Sequence, residues 1–379
     1  MICAKLIFNQ KSDSLHNEDV TPKSVRKSPC EKKLQKKGHR MDAYKSCTLC
    51  PRNCKIDRTQ GKTGFCKETD QLRLAVACLH FGEEPPITVN NGSGTIFVTG
   101  CNLRCAFCQN YQISQCGMGK ALNIEETVQI FFQLKDQGAE NINIVTGSHA
   151  IPFFAKAIKQ AKDAGLDLPI CWNCSAYESV EALEMLKGLV DIWLPDLKTL
   201  NPMMSEAVFK AADYPAAAKK AIRWMIKNTK SRFITVKDKT DPTQTKEKML
   251  SGVIIRHLVM PGRLDDTALT LDWLEKMTTL NPENTPCISL MMQYTPVSVD
   301  KSLFTAQELQ QRETALAAFS NRLITKEEFQ KAQELIQKHN FEYLFYQELE
   351  EDTEWLPDFT RPQPFSNELA KVVWHWTAK

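Results

Sequence analysis

The sequence is short of long apolar runs. No stretch approaches the roughly 18 uninterrupted apolar residues of a membrane span, which argues against a membrane partner. The opening Met1-Ile-Cys-Ala-Lys-Leu-Ile-Phe8 is apolar but broken by Lys5, and no small-residue cleavage site follows. It does not read as a signal peptide, so a cytoplasmic location is expected. No internal repeat of short period is present. Residues 1–40 lack a sustained apolar period and interleaved aromatics, while carrying ten Lys/Arg against four Asp/Glu. That net of +6 leaves −3 for the rest of a chain whose formal charge is +3. Such a stretch reads as a disordered basic tail, and without aromatics it argues against a nucleic-acid-binding arm.

What is there describes an ordinary globular chain. Its 379 residues have room for one large domain with appendages, and its apolar and charged fractions are 42% and 25%. The exception is cysteine, at 14 residues. Without a secretion signal a disulfide framework is not expected, because a reducing compartment keeps thiols free. Clustered cysteines then point to metal ligands.

From residue 92 a strand–helix rhythm sets in. Gly92-Ser-Gly94 opens into a strand at Thr95–Val98, and Ile124, Val128, Phe131 and Leu134 follow at helical spacing up to Gly138. Further strands are expected at 142–145, 168–172, 191–194, 253–259 and 288–292, with helices between them. Ser179 is placed as an N-cap, and Thr325 with Glu328 as a capping box. The polar stretch 229–251 has no apolar period and reads as an inserted loop. Alternating strands and helices imply a parallel sheet covered by helices. Six units are too few for a closed eight-stranded barrel. The expected fold class is therefore α/β, a partial open (β/α)6 TIM-like barrel, with chemistry at the C-terminal strand ends. A doubly wound order is the alternative that pattern alone leaves open. The expected boundaries are a tail over 1–40, a small Cys-rich extension over 41–90, the barrel over 91–300 and a helical C-terminal extension over 301–379.

Cys101-Asn-Leu-Arg-Cys105-Ala-Phe-Cys108 directly follows the first strand of this rhythm. Three thiolates on one short loop can hold three irons of a cubane and leave the fourth open to a ligand. Zinc fits less well, since structural sites take four ligands. Cys47, Cys50, Cys54 and Cys66 form a second set, sufficient for zinc or another iron–sulfur cluster, and Gly61 and Gly64 supply turns to return Cys66. Cys171 and Cys174 lie three apart in a strand and face opposite ways, so they read as core thiols, as does Cys287. Asp196 and Lys198, two apart after a strand, can face one side. Arg256 and His257 must point oppositely, and Arg256, whose fork suits a carboxylate, is the one expected in the lumen.

With Phe107 before its last cysteine, the loop resembles the signature of the radical S-adenosylmethionine (SAM) superfamily. The wider string His80-Phe-Gly-Glu-Glu-Pro-Pro86, Gly100–Cys105 and Gln109-Asn-Tyr111 resembles the branch related to pyruvate formate-lyase-activating enzymes. Asp191–Lys198, Ile255–Gly262 and Gln293-Tyr-Thr-Pro296 match it too, and the resemblance covers residues 44–300. It implies a [4Fe–4S] cluster on Cys101, Cys105 and Cys108, SAM as cofactor, and reductive SAM cleavage to a 5′-deoxyadenosyl radical that abstracts hydrogen from a substrate. Phe107 would lie by the adenine, and Thr146 and Gly147 would stand where relatives carry Gly-Gly-Glu for the methionine amino group. Asn173 and Ser175 would meet the ribose, and Asp196, Lys198 and Arg256 would serve as catalytic residues. Implied partners are a reductant such as flavodoxin or ferredoxin and a glycyl-radical enzyme. The alternatives are modification of another peptide, a tRNA or a small molecule by the same radical, and a non-catalytic iron–sulfur carrier or sensor.

Overall fold

The structure is a computed structural model. It describes residues 42–349 and 355–378, and the backbone of a strand over residues 4–7. That strand, β1 (Ala4–Ile7), falls where a tail was expected; the remainder of the basic stretch lies outside the described residues.

Past the Cys-rich segment, β2 (Leu72–His80) leads through the short helix α1 (Pro85–Thr88) to β3 (Ser93–Val98). α2 (Tyr111–Ser114) and β4 (Lys120–Leu122) follow. Then come α3 (Ile124–Asp136), β5 (Ile142–Val145), α4 (Ile151–Asp163), β6 (Ile170–Cys174), α5 (Val180–Leu186) and β7 (Ile192–Pro195). Helices α6 (Pro202–Phe209) and α7 (Tyr214–Asn228) precede β8 (Arg232–Lys237), β9 (Thr245–Leu258), α8 (Leu264–Thr279) and β10 (Cys287–Met291). The C-terminal part holds α9 (Ala306–Leu316), α10 (Lys326–Gln337), β11 (Leu344–Gln347) and β12 (Ala370–His375).

Local chemistry starts these helices. Asn123 and Glu126 form a reciprocal capping box on α3, whose Val128, Phe131 and Leu134 are buried. The Ser179 side chain accepts from the Ala182 N–H, and Thr325 with Glu328 closes a box on α10, both as expected.

The strands run in the order β1-β11-β10-β9-β7-β6-β5-β3-β2-β12. From β3 to β11 the neighbours are parallel and follow chain order, so the winding never reverses as a doubly wound sheet would. The result is a partial open barrel, with β2 and β12 added antiparallel at one edge. Alternation along the strands divides the side chains between two faces. Trp172, Trp193, Ile255 and Ile288 pack outward under the helices. Cys171, Ile192, Leu194, Ile254, Cys287 and Phe345 pack inward around Ile87 of α1. That apolar plug fills the end of the lumen where the strands begin and leaves polar side chains to the end where they finish.

Three differences from expectation have physical causes. The stretch 229–251 is largely a hairpin of β8 with the first half of β9. Both faces of that ribbon are largely exposed, so no apolar alternation marks it. β2 is buried along its length and shows a continuous apolar run rather than a period. Beyond its helices the C-terminal extension supplies β11, a parallel barrel strand, and β12.

Candidate active site

The cysteine loop leaves β3 through a tight turn. Gly100 has φ of 87°, and a Cβ there would stand 2.3 Å from Glu68 Cγ, so both backbone and space demand glycine. The loop then presents Cys101, Cys105 and Cys108 to a cavity of about 320 Å³ at the C-terminal strand ends. Cys101 and Cys105 are buried and Cys108 is partly exposed. The Leu103 N–H donates to Cys101 Sγ at 3.3 Å. Burial pushes both the Cys101 and the Cys105 thiol up, while the Lys198 ammonium pulls the other way on each. The Phe107 ring lines the same cavity, 6.0 Å from each of the rings of Phe209, Tyr294 and Phe319.

Opposite the loop lies a network of charges. Asp196, after β7, accepts from Arg256 Nε at 2.7 Å and from Lys198 Nζ at 2.8 Å, on different oxygens. Arg256 extends its other nitrogens to Glu83 at 3.2 Å and to the Asn173 amide oxygen at 2.6 Å. Burial alone would raise the Asp196 carboxyl, but Arg256 and Lys198 outweigh it and hold the group below its ordinary value. Burial also works against the Lys198 and Arg256 charges, yet Asp196 keeps both firmly protonated. Glu83 is raised by burial against the pull of Arg256. Glu84, beside it, is pushed up to about 7 by burial, against the pull of Arg256. The His80 imidazole is held down at about 4 by burial and by Arg256, and so is neutral near pH 7.

Most of the residues singled out in the sequence meet here. Thr146, Asn173, Ser175, Asp196, Lys198 and Arg256 line the cavity with the three cysteines and Phe107. Thr146 sits at φ of 62°, a left-handed backbone that a β-branched residue adopts only at a cost. Gly147 is not in the lining; a Cβ on it would lie 2.6 Å from the Trp172 ring. His257 points away, bonding the Leu197 carbonyl and the Thr267 hydroxyl. Cys171 and Cys287 belong to the lumen plug, and Cys174 is buried at the cavity wall. Cys47, Cys50, Cys54 and Cys66 lie outside this cavity.

A family model, Radical SAM superfamily, matches residues 95–274, which run from β3 through the cysteine loop and the charge network into α8. The chain is also 30% identical over 310 residues to uncharacterized protein MJ0674 of Methanocaldococcus jannaschii, covering 80% of this chain and 77% of that one. The chain belongs to the radical SAM superfamily. Among solved structures, methylornithine synthase (PylB) matches 72% of each chain at 15% identity and a TM-score of 0.38, a similarity too low to transfer anything.

Membership in the radical SAM superfamily implies a capacity to bind an iron–sulfur cluster and SAM, and the donor set fits it. Three thiols of one loop face one cavity with a backbone N–H already directed at one sulfur. Among the described residues no three His, Cys, Asp or Glu side chains are gathered as a single-ion site. In a cubane each thiolate holds its own iron, so its sulfurs stand farther apart than those around one ion.

Sequence reasoning missed part of this cavity's lining. Glu83 reaches the cavity from the turn between β2 and α1, and Gln293 and Thr295 from beyond β10. Trp355 and Phe365 arrive from the far C-terminus. Each lies in a turn or loop, where no periodicity announces direction.

Proposed function

We propose that this protein reductively cleaves SAM and uses the resulting radical to take a hydrogen atom from a substrate. Three thiolates walling one cavity opposite a buried ion network carry the reading. Cys101, Cys105 and Cys108 would hold a [4Fe–4S] cluster, each ligating one iron and leaving the fourth for SAM. That pair of cofactors supplies one-electron cleavage of a sulfonium to a 5′-deoxyadenosyl radical.

The chain's own residues bind, orient and exclude water. Phe107 offers an aromatic wall for adenine, and Asn173 and Ser175 offer polar atoms for the ribose hydroxyls. Lys198 donates one N–H to Asp196 and keeps others for the methionine carboxylate, a group that the fork of Arg256 would also suit were it not already engaged. Arg256, its fork spread over Asp196, Glu83 and Asn173, positions those three groups. Thr146, at the place of the Gly-Gly-Glu of relatives, lacks an acid. Asp196, ionised and in the same lining, is the substitute for the methionine amino group.

The finer reading, from the resemblance to activases, is that the substrate is a backbone glycine of a partner glycyl-radical enzyme, with flavodoxin or ferredoxin as reductant. Trp355, Pro357 and Phe365 line the cavity from the C-terminal segment, and a glycine-bearing loop would have to displace this cover.

The test is anaerobic incubation of iron-reconstituted protein with SAM and a strong reductant. Release of 5′-deoxyadenosine by the wild type and its loss in Cys105→Ala support the reading. Equal release by both, or none from either, overturns it.

A further inference from the structure

The function above leaves the N-terminal cysteines unused. Cys47, Cys50, Cys54 and Cys66 all fall in the segment between the 3-10 turn at Asp42–Tyr44 and β2. The Cys54 thiol lies 3.9 Å from the Cys47 carbonyl, and the Asn53 N–H donates to the Cys50 carbonyl at 3.0 Å. The backbone is bent beside them. Lys55 and Lys67, each directly after a cysteine, take left-handed φ values of 51° and 61°. Their N–H groups donate to the Cys47 and Gly64 carbonyls, both at 3.0 Å. A Cβ on Gly64 would stand 2.9 Å from Cys54 Sγ, so glycine lets the Cys66 segment close on Cys54. Two non-glycine residues held in a strained conformation need something that repays the cost.

A second observation points the same way. Arg58 is 1% exposed, yet among the described residues no carboxylate bridges it. Its guanidinium donates to the carbonyls of Glu68 at 3.1 Å, His149 at 2.6 Å and Thr69, and lies 3.9 Å from Cys47 Sγ. The Glu68 carboxylate is close, but both of its oxygens are engaged by Arg73. A buried cation without a counter-ion is costly. Four thiolates around a [4Fe–4S] core of charge +2 carry two net negative charges, and an arginine against one of the sulfurs answers that excess.

We infer that Cys47, Cys50, Cys54 and Cys66 form a second, four-thiolate metal centre for which buried Arg58 is the counter-charge. The centre also fastens the Cys-rich segment to the active site. Arg52, between Cys50 and Cys54, donates to the carbonyls of Asn102 at 3.1 Å and Phe209 at 2.7 Å. Asn102 follows Cys101, and its amide donates to the Tyr177 carbonyl at 2.7 Å. The Ser179 N–H and hydroxyl hold the Leu49 and Thr48 carbonyls. The loop that carries Cys101 is thus clamped on its outer side by the segment that the metal would organise. A four-iron cluster, whose thiolates stand apart on separate irons, fits sulfurs that are not gathered as a single-ion site, and zinc in its place overturns the cluster.

The test uses the full chain with Cys101, Cys105 and Cys108 all replaced by alanine, so that it does not depend on the SAM site. Purified without oxygen, this variant should retain about four irons with equal sulfide per chain. Adding Cys50→Ser and Cys54→Ser should remove it. Retention unaffected by those serines, or no metal in the triple variant together with none beyond the first cluster in the wild type, overturns the site. For the counter-charge, Arg58→Met should lose metal to a chelator at least tenfold faster than Arg58→Lys, with circular dichroism confirming that both fold. Equal rates overturn the role of Arg58.

Discussion

Arg256 on β9 donates through Nε to Asp196 at the end of β7, at 2.7 Å across two neighbouring parallel strands. The contact joins the walls of the cavity, and Lys198 takes the other oxygen of the same carboxylate. Removing one partner of a buried ion cluster leaves uncompensated charge, at a cost of about 3–5 kcal/mol. Asp196→Ala should therefore lower the unfolding free energy by about 3 kcal/mol in urea denaturation. A loss under about 1 kcal/mol would mean the network is solvated like a surface pair.

Glu84 yields a pH dependence. Its carboxyl is held at about 7 by burial against the pull of Arg256, above an ordinary value of 4.5. The folded chain thus holds this proton more tightly than the unfolded chain. The corresponding stability is fully present below about pH 4.5 and is lost as pH rises through about 7. Denaturation of the wild type at pH 5 and pH 8 should show this loss, and Glu84→Gln should show less of it. Parallel pH profiles for the two proteins would contradict the assignment.

The tight place after β5 gives a packing prediction. A Cβ on Gly147 would lie 2.6 Å from the Trp172 ring and 3.0 Å from Ile144 Cγ2, and both side chains are fully buried. Gly147→Ala should cost about 1–3 kcal/mol, read as a lowered melting temperature. An unchanged melting temperature would mean that Trp172 can shift freely.

How much of this the sequence disclosed depends on how local each signal is. The cysteine loop is a spacing within eight residues, so chemistry and position were both readable. Arg256 and His257 separate because a strand alternates, and the structure turns Arg256 into the cavity and His257 toward α8. Asp196 and Lys198 share a side for the same reason. Glu83 lay in the string His80–Pro86 that carries the resemblance, but its role could not be read there: it enters from a turn, and its partner Arg256 lies 173 residues away. Strand β11 was hidden because its four residues follow two helices and pair only with distant strands. Arg58 could not be singled out at all, since a buried arginine and a surface one look alike in a polar segment.

The proposal that Cys101, Cys105 and Cys108 hold a cluster with one open iron is tested most directly by low-temperature electron paramagnetic resonance. The reduced, iron-reconstituted protein would be recorded before and after adding SAM. Coordination of SAM to an open iron predicts a changed signal in the wild type. A spectrum that SAM leaves unaltered, in protein with a full complement of iron and sulfide, would contradict the account.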